Sequence, residues 1–303
     1  MTKNTFFKRH KGRGSYDLFS NYAHYLPDTK GMFLLFLFFL IGALLGNLLT
    51  IALELVSKEF AAIYGTVIAY PVMFIPPLLY ASAQSRRNEY FDKGYALDSS
   101  HFGKLGSIAI SLIVSVATIA LAFMTDSLTK ILPETPQWFE DAMDSIMDAP
   151  TWLTLISVSV FAPLFEEWLC RGLVLRGLLQ KHSPAAAISI SAIFFAVLHM
   201  NPWQAVPAFI LGLLFGYVYY KTGSLKLTML MHCVNNSFAV IFSKIPKFAD
   251  ADSIIDVMHP ITYACIFLAC AAFLWGAAVT LRSIPLIKED AKSNCDEVDA
   301  ISI

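Results

Sequence analysis

Long blocks of apolar residues, separated by short polar connections, restrict the fold of this chain more than any other feature. A helix needs about 20 apolar residues to cross a bilayer, and in lipid only helices or closed barrels satisfy their own backbone polar groups. The sequence therefore predicts an all-α protein, a polytopic membrane helix bundle with about eight transmembrane helices. The predicted spans are residues 31–56, 63–83, 106–124, 152–175, 183–200, 206–220, 225–243 and 261–281.

The composition agrees with a lipid environment. Hydrophobic residues make up 56% of the chain and charged residues 15%, where soluble domains carry about 25% charged residues. The net charge of -1 carries no information about nucleic acid. The long apolar blocks make the membrane lipid bilayer the expected partner, and we expect no nucleic-acid partner. Four of the five cysteines fall inside apolar blocks, and we expect reduced packing residues rather than disulfides. The first thirty residues contain no apolar core, so we expect no cleavable signal and an uncleaved first span.

The charges of the connections predict an orientation. Lys and Arg are concentrated in the leading segment, in the second, fourth and sixth connections, and after the last span, whereas the third connection is acidic. Basic loops stay in the cytoplasm, so we expect both termini to be cytoplasmic and the third connection to lie outside. Its charged residues are Asp126, Lys130, Glu134, Glu140, Asp141, Asp144 and Asp148.

The same pattern divides the chain into segments. In residues 126–151 apolar residues recur at roughly helical spacing, interrupted by Pro133 and Pro136, which is typical of short amphipathic helices at a membrane interface. The last fifteen residues are rich in Asp, Glu and Ser and are predicted to be disordered. The predicted segments are a basic cytoplasmic segment (1–30), N-terminal transmembrane helices (31–125), an extracytoplasmic amphipathic loop (126–151), a catalytic core (152–245), a last loop and transmembrane helix (246–283) and a disordered cytoplasmic tail (284–303).

Ionisable side chains inside three predicted spans are the main candidates for function, because each is unfavourable in a membrane by about 2.5–3.5 kcal/mol on insertion scales. Span four contains Glu166, Glu167 and Arg171, span five ends at His199, and span seven contains His232 and Asn236. Glu167 and Arg171 are four residues apart and can form an ion pair on one helical face. Glu166 points about 100° away and is expected to find its partner on another helix.

The depths of these residues also agree. Spans four and five are joined near Lys181, and Glu166 and His199 each lie about 16.5 residues from that turn, or about 25 Å at the rise of an α-helix. His232 and Asn236 lie about 13–20 Å beyond the turn that precedes span seven. The sequence therefore predicts that polar side chains of three spans meet. A carboxylate and an imidazole that share a water can act as a general base, and a second imidazole with an amide can stabilise an oxyanion. Such a site would hydrolyse an amide.

Three motifs at these residues resemble the CAAX-protease and bacteriocin-processing (CPBP, or Abi) family of intramembrane glutamic endopeptidases. The E-E-x-x-x-R element begins at Glu166 and ends at Arg171, the F-x-x-x-H element ends at His199, and the H-x-x-x-N element joins His232 to Asn236. The resemblance covers roughly residues 152–240. It implies an endopeptidase that acts on a membrane-associated peptide or protein, either prenylated and of the CAAX type or similar to a bacteriocin, with a role in bacteriocin immunity as a further expectation.

Residue roles follow from the resemblance. Glu166 with His199 would activate water, His232 with Asn236 would stabilise the oxyanion, and Glu167 and Arg171 would support and orient them. We expect catalysis without a metal, because Asn236 is a poor zinc ligand and catalytic zinc typically takes three protein ligands; zinc at Glu166, His199 and His232 is the alternative.

Other functions remain open at this stage. Carboxylate–histidine chains also form proton relays, so a transporter or proton-coupled permease is one alternative, and a non-catalytic immunity or scaffold protein is another. We expect a site that opens to the cytoplasm, because basic loops flank the motif-bearing spans. The short loops and compact size lead us to expect a bacterial cell membrane rather than the endoplasmic reticulum. The sequence leaves the substrate and the oligomeric state undetermined.

Overall fold

Every regular element that the structure describes is a helix. The structure is a computed structural model, and it describes residues 19–91, 94–245 and 253–286. Short 3-10 turns lie at Ser20–Tyr22, Gly103–Leu105 and Ser127–Ile131. The helices are α1 (Thr29–Val56), α2 (Lys58–Asn88), α3 (Gly106–Asp126), α4 (Gln137–Met147), α5 (Thr151–Leu178), α6 (Pro184–Leu198), α7 (Pro202–Thr222), α8 (Leu225–Ser243), α9 (Ile254–Val257) and α10 (Pro260–Ser283).

Polar residues in the connections set where the helices begin. Asp28 accepts a hydrogen bond from the Gly31 backbone N–H at 2.9 Å at the start of α1, and this bond lowers the pKa of the Asp28 carboxyl below its usual value. Ser57 ends α1 and caps α2, and Ser183 and Ser224 cap α6 and α8 in the same way. Each side chain satisfies a backbone donor that the helix leaves free. The caps keep the connections between successive helices short.

The predicted bundle of about eight spans is confirmed, with one difference. Seven helices in the described part of the chain are long and apolar enough to cross a membrane: α1, α2, α3, α5, α7, α8 and α10. The predicted fifth span is the shorter helix α6, whose 15 residues extend about 22 Å. Helix α6 ends early because the next helix begins almost at once: Asn201 caps α7, and Pro202 occupies the first turn of α7. Between the two helices, Met200 takes a left-handed backbone conformation with φ of 54°.

Helix α5 is not a regular α-helix, although the sequence predicts one. Residues Leu155–Phe161 and Trp168–Leu175 form wider, π-helical turns on either side of the α-helical segment Ala162–Glu167. Pro163 lacks an N–H and its ring would clash with the carbonyl four residues earlier, which accounts for the first widened segment. π-Helical turns are rare and occur often at functional sites.

Helix α5 lies at the centre of the bundle. Its residues Trp168–Leu175 are all buried, and they form the main hydrophobic core with side chains from α1, α2, α6, α7 and α8. By contrast, α10 exposes large apolar side chains such as Leu268 and Trp275, as expected of a surface that faces lipid.

The end of the bundle where α5 meets α6 is tightly packed. Arg176 is fully buried and donates to the backbone carbonyls of Tyr95, Tyr22 and Tyr25. Asp98 accepts hydrogen bonds from the first backbone N–H groups of α8. We call this the basic end, because Arg86, Arg87, Lys104, Lys181, Lys221, Lys226 and Arg282 are distributed among its connections and helix termini.

At the opposite end, the segment predicted as an amphipathic loop contains the helix α4. Pro136 immediately precedes α4, and Trp203 of α7 packs against Trp138 and Phe139 while donating a hydrogen bond to the Pro133 carbonyl. We call this the α4 end. The predicted basic segment is described only from residue 19 and the predicted tail only to residue 286, so most of both lie outside the described residues.

Candidate active site

One cavity of about 390 Å³ is lined by all four predicted catalytic side chains. Glu166 lies on α5, His199 directly follows the last residue of α6, and His232 and Asn236 lie on α8. The three helices thus bring these residues around a shared space, as the depth argument predicts. The other lining residues are Phe39, Tyr70, Met73, Met143, Ile146, Met147, Val158, Ala162, Leu198, Met200, Gln204, Ala239 and Val240.

The two carboxylate oxygens of Glu166 have different surroundings. Oε1 accepts a hydrogen bond from the hydroxyl of Tyr70 on α2. Oε2 is buried and has no hydrogen-bond partner among the described residues, and the Nε2 atom of His232 lies 3.9 Å away. Glu166 therefore finds its partner on another helix, as the sequence predicts, although the motifs do not identify that partner as Tyr70.

Glu167 forms the predicted ion pair with Arg171 and also contacts His232. Its Oε1 accepts from Arg171 Nη1 at 2.6 Å and from His232 Nδ1 at 3.0 Å. The side chains of Glu167 and Arg171 are 0% exposed, so the pair is desolvated and is stabilised only if its remaining polar atoms are satisfied. Arg171 Nη2 donates to the Gly212 carbonyl at 3.0 Å, whereas Glu167 Oε2 and Arg171 Nε are buried without a hydrogen-bond partner among the described residues.

Two aromatic rings hold the Arg171 guanidinium in place. Its carbon lies 4.6 Å from the ring centre of Phe195 and 5.4 Å from that of Phe215, within the range of cation–π attraction. The same two rings contact the imidazole of His232. Phe195 is the first residue of the F-x-x-x-H element. This element therefore contributes a packing side chain, Phe195, in addition to His199.

The hydrogen-bond partners determine the orientation of both imidazoles. An ionised carboxylate can only accept, so His232 donates from Nδ1 to Glu167 and directs Nε2 towards Glu166. His199 lies 3.0 Å from the Phe195 carbonyl through Nδ1. A carbonyl also only accepts, so neutral His199 carries its proton on Nδ1 and leaves Nε2 as an acceptor.

Asn236 is held by two hydrogen bonds. Its Nδ2 donates to the Val158 carbonyl at 2.6 Å, and its Oδ1 accepts from Asn235 Nδ2 at 3.0 Å. Val158 lies in the first π-helical segment of α5, so the widened turn supplies an acceptor for Asn236. One hydrogen of the Asn236 amide remains for another acceptor.

The cavity extends towards the α4 end. Met143, Ile146 and Met147 of α4 line it, and these half-buried side chains place the apolar face of α4 over the cavity. Towards the basic end, the consecutive residues 167–179 are buried. The charge pattern predicts that the α4 end lies outside, so the expectation of a cytoplasmic opening conflicts with the orientation predicted from the same sequence.

The alternative zinc set can be compared with this geometry. In the described part of the chain, no group of three or more His, Cys, Asp or Glu side chains is arranged to hold a metal ion. Cys170 and Cys233 are free thiols and do not line the cavity.

Sequence analysis does not identify Tyr70 or Met73 as residues of the site. Both lie on α2, before the three motifs begin, and an uncharged aromatic or thioether side chain in an apolar span normally indicates packing. The only available signal is that Glu166 lacks a partner on its own helix, so some earlier or later span has to supply a donor.

The fold and this cavity define a class of protein: a polytopic helical membrane protein with a buried carboxylate–imidazole–amide site. Residues 148–238, which contain all three motifs, match the family model described as Type II CAAX prenyl endopeptidase Rce1-like. The match agrees with the resemblance carried by the motifs. No curated protein and no solved structure matches the chain.

Proposed function

We propose that this protein is an intramembrane endopeptidase that hydrolyses a peptide bond of a membrane-associated substrate. The observation that carries the proposal is the cavity, in which Glu166, His199, His232 and Asn236 face a common space inside an apolar bundle. Ionisable side chains inside a membrane protein are energetically unfavourable, so where they occur they usually mark a functional site. The family match over residues 148–238 points to the same reaction.

Glu166 acts as the general base in this proposal. Its Oε2 has no hydrogen-bond partner among the residues that the structure describes and takes a proton from a water molecule that the Nε2 atom of His199 helps to orient. The water oxygen then attacks the carbonyl carbon of the substrate and forms a tetrahedral intermediate. When the carbon–nitrogen bond breaks, Glu166 returns the proton to the leaving amine.

His232 and Asn236 stabilise the oxyanion of that intermediate. The remaining Asn236 N–H and a protonated His232 Nε2–H are the two donors, and fixed donors of this kind typically contribute about 10²–10³-fold to the rate.

The proposed mechanism uses no metal. The geometry that supports this choice is that Glu167 is bonded to Arg171 and His232, while Asn236 is bonded to Val158 and Asn235. These residues are therefore arranged as hydrogen-bonding groups. If zinc at Glu166, His199 and His232 were the catalyst, a chelator would abolish the activity.

The substrate class follows from the apolar walls of the cavity. Met73, Met143, Met147 and Met200 line it together with aliphatic side chains, and methionine side chains adapt to apolar partners of varied shape. A hydrophobic peptide end fits such a surface, either prenylated and of the CAAX type or similar to a bacteriocin. We further propose a bacterial cell membrane as the location, with both termini in the cytoplasm, on the basis of the loop charges.

One observation favours a second function, a proton-coupled transporter. Tyr70, Glu166, His232, Glu167 and Arg171 form a continuous polar chain inside the bundle, and such chains carry protons in transporters. Proton flux into liposomes that depends on Glu166, without cleavage of any peptide, would support this function.

The test compares cleavage by wild-type protein and Glu166→Gln in proteoliposomes. Internally quenched peptides that end in a farnesylated CAAX box, and the same peptides without the farnesyl group, are supplied with and without a chelator. We expect Glu166→Gln to lose at least about 10²-fold in rate, because general bases contribute about 10²–10⁴-fold. The chelator is expected to have no effect.

Glu54→Gln is the matched control, since Glu54 is an exposed carboxylate near the end of α1, outside the cavity. It should cleave at the wild-type rate. Cleavage by Glu166→Gln at that same rate would refute the proposed hydrolase.

A further inference from the structure

We propose that Tyr70 is a positioning residue for Glu166, holding one carboxylate oxygen so that the other is free to act as the base. This inference rests on the proposed function. It concerns a residue that lies outside the three motifs and outside the segment that matches the family model.

The position of Tyr70 is fixed by an aromatic stack. Its ring lies 5.7 Å from that of Phe74, which is 0% exposed. Phe74 in turn stacks on Phe165, the residue before Glu166, at 5.1 Å between ring centres. The stack therefore joins α2 to the helical turn that carries Glu166. The same ring contacts position both the Tyr70 phenol and the Glu166 carboxylate.

The hydroxyl of Tyr70 is directed at a single acceptor. It donates to Oε1 of Glu166, and Tyr70 also lines the cavity. Because a carboxylate rotates about its last side-chain bond unless it is held, this hydrogen bond determines which oxygen faces the cavity. Oε2 is then the oxygen that remains unpartnered, 3.9 Å from His232.

Tyr70→Phe tests the inference, because it keeps the ring in the stack and removes only the hydroxyl. We expect kcat on the farnesylated quenched peptide to fall about 10- to 100-fold, the range for loss of a hydrogen bond to a charged group. We also expect KM to stay at the wild-type value, because the ring of residue 70 still lines the cavity. A purely structural role, in which loss of the hydroxyl disturbs the cavity, would change KM together with kcat.

Tyr64→Phe is the matched control on the same helix, since Tyr64 is partly exposed and lies outside the cavity. It should leave both kcat and KM unchanged. If Tyr70→Phe does not fold, 3-fluorotyrosine at position 70 replaces it in the test; the changed donor strength of its phenol should alter kcat and leave KM unchanged.

The outcomes separate this inference from the proposed function. An unchanged rate in Tyr70→Phe, or a lower kcat accompanied by a changed KM, overturns the role of Tyr70 while an inactive Glu166→Gln variant still supports the hydrolase. Full activity of Glu166→Gln overturns both.

Discussion

Glu166 and Glu167 are adjacent in the sequence, but their carboxylates have different surroundings. Glu167 is 0% exposed and is bonded to Arg171 and His232. Each carboxylate keeps one oxygen without a hydrogen-bond partner among the described residues, but of the two only Glu166 lines the cavity. Both residues lie at the end of the α-helical segment Ala162–Glu167, and His232 approaches both carboxylates, Glu167 through Nδ1 and Glu166 through Nε2. Glu167 is therefore fixed by its hydrogen bonds within the fold, whereas Glu166 is available to act on a substrate in the cavity.

At the residue scale, we expect Arg171→Met to destabilise the protein strongly. The change leaves the Glu167 carboxylate buried without its cation, and breaking a buried ion pair from one side costs about 3–5 kcal/mol. The measurement is the thermal unfolding midpoint of the purified protein in detergent, followed by tryptophan fluorescence.

Two further variants make this prediction specific. Arg282→Met removes an exposed arginine at the end of α10 and should leave the midpoint nearly unchanged. The double variant Glu167→Gln with Arg171→Met should recover part of the loss, since no unpaired charge remains. A midpoint for Arg171→Met equal to that of wild type would show that the pair does not stabilise the fold.

At the scale of elements, the α1–α2 hairpin determines the position of Tyr70. Helix α1 approaches α2 closely at Gly42, where an added Cβ would lie 1.8 Å from the Met73 carbonyl oxygen. Small residues allow this approach, as is common between membrane helices. Met73 and Tyr70 lie on the same stretch of α2 and both line the cavity, so the contact between the two helices also fixes one wall of the site.

We expect Gly42→Ala to separate α1 from α2 and to lower both stability and peptide cleavage. Overpacking of this kind costs about 1–3 kcal/mol, and the displaced α2 would carry Tyr70 away from Glu166. The measurements are the unfolding midpoint and the cleavage rate of the same preparation.

Gly276→Ala on α10 provides the comparison, because no atom lies within 4 Å of an added Cβ there. Alanine has the higher helix propensity by about 1 kcal/mol, so this variant should be as stable as wild type or slightly more so. Equal effects of the two substitutions would show that the close approach at Gly42 is unimportant.

At the scale of the whole molecule, the two ends of the bundle differ. The basic end is closed by packed residues and by the buried Arg176, whereas the cavity extends towards α4. Water and substrate therefore reach Glu166 from the α4 end or from the bilayer beside it. The charge pattern predicts that this end faces the outside, so the orientation of the protein determines which class of substrate can reach the site.

Cysteine labelling tests the orientation. In a cysteine-free variant, a single cysteine replaces either Asp148, between α4 and α5, or Lys181, between α5 and α6; both positions are exposed. We expect a membrane-impermeant maleimide to label the position 148 variant in intact cells and the position 181 variant only after lysis. The opposite pattern would contradict the predicted orientation and would place the α4 end in the cytoplasm.

The extent to which the sequence predicts the site differs from residue to residue. The pairing of Glu167 with Arg171 follows from their spacing alone, since both lie on one helix. The partner of Glu166 could not be identified, because Tyr70 is 96 residues away and a tyrosine in an apolar span has no distinguishing pattern. The early end of α6 and the widened turns of α5 were also missed, because both depend on how neighbouring helices satisfy backbone groups.

The sequence by itself determined that the chain is a helical membrane bundle and which polar groups lie inside it. Hydrophobicity and local spacing are properties of single segments, and a bilayer restricts each segment separately. Only the tertiary structure decided which oxygen of Glu166 is free, how His232 is oriented and towards which end the cavity extends. These features depend on contacts between helices that are distant in the chain, and the energy of such contacts comes from packing geometry that the pattern of a single segment does not contain.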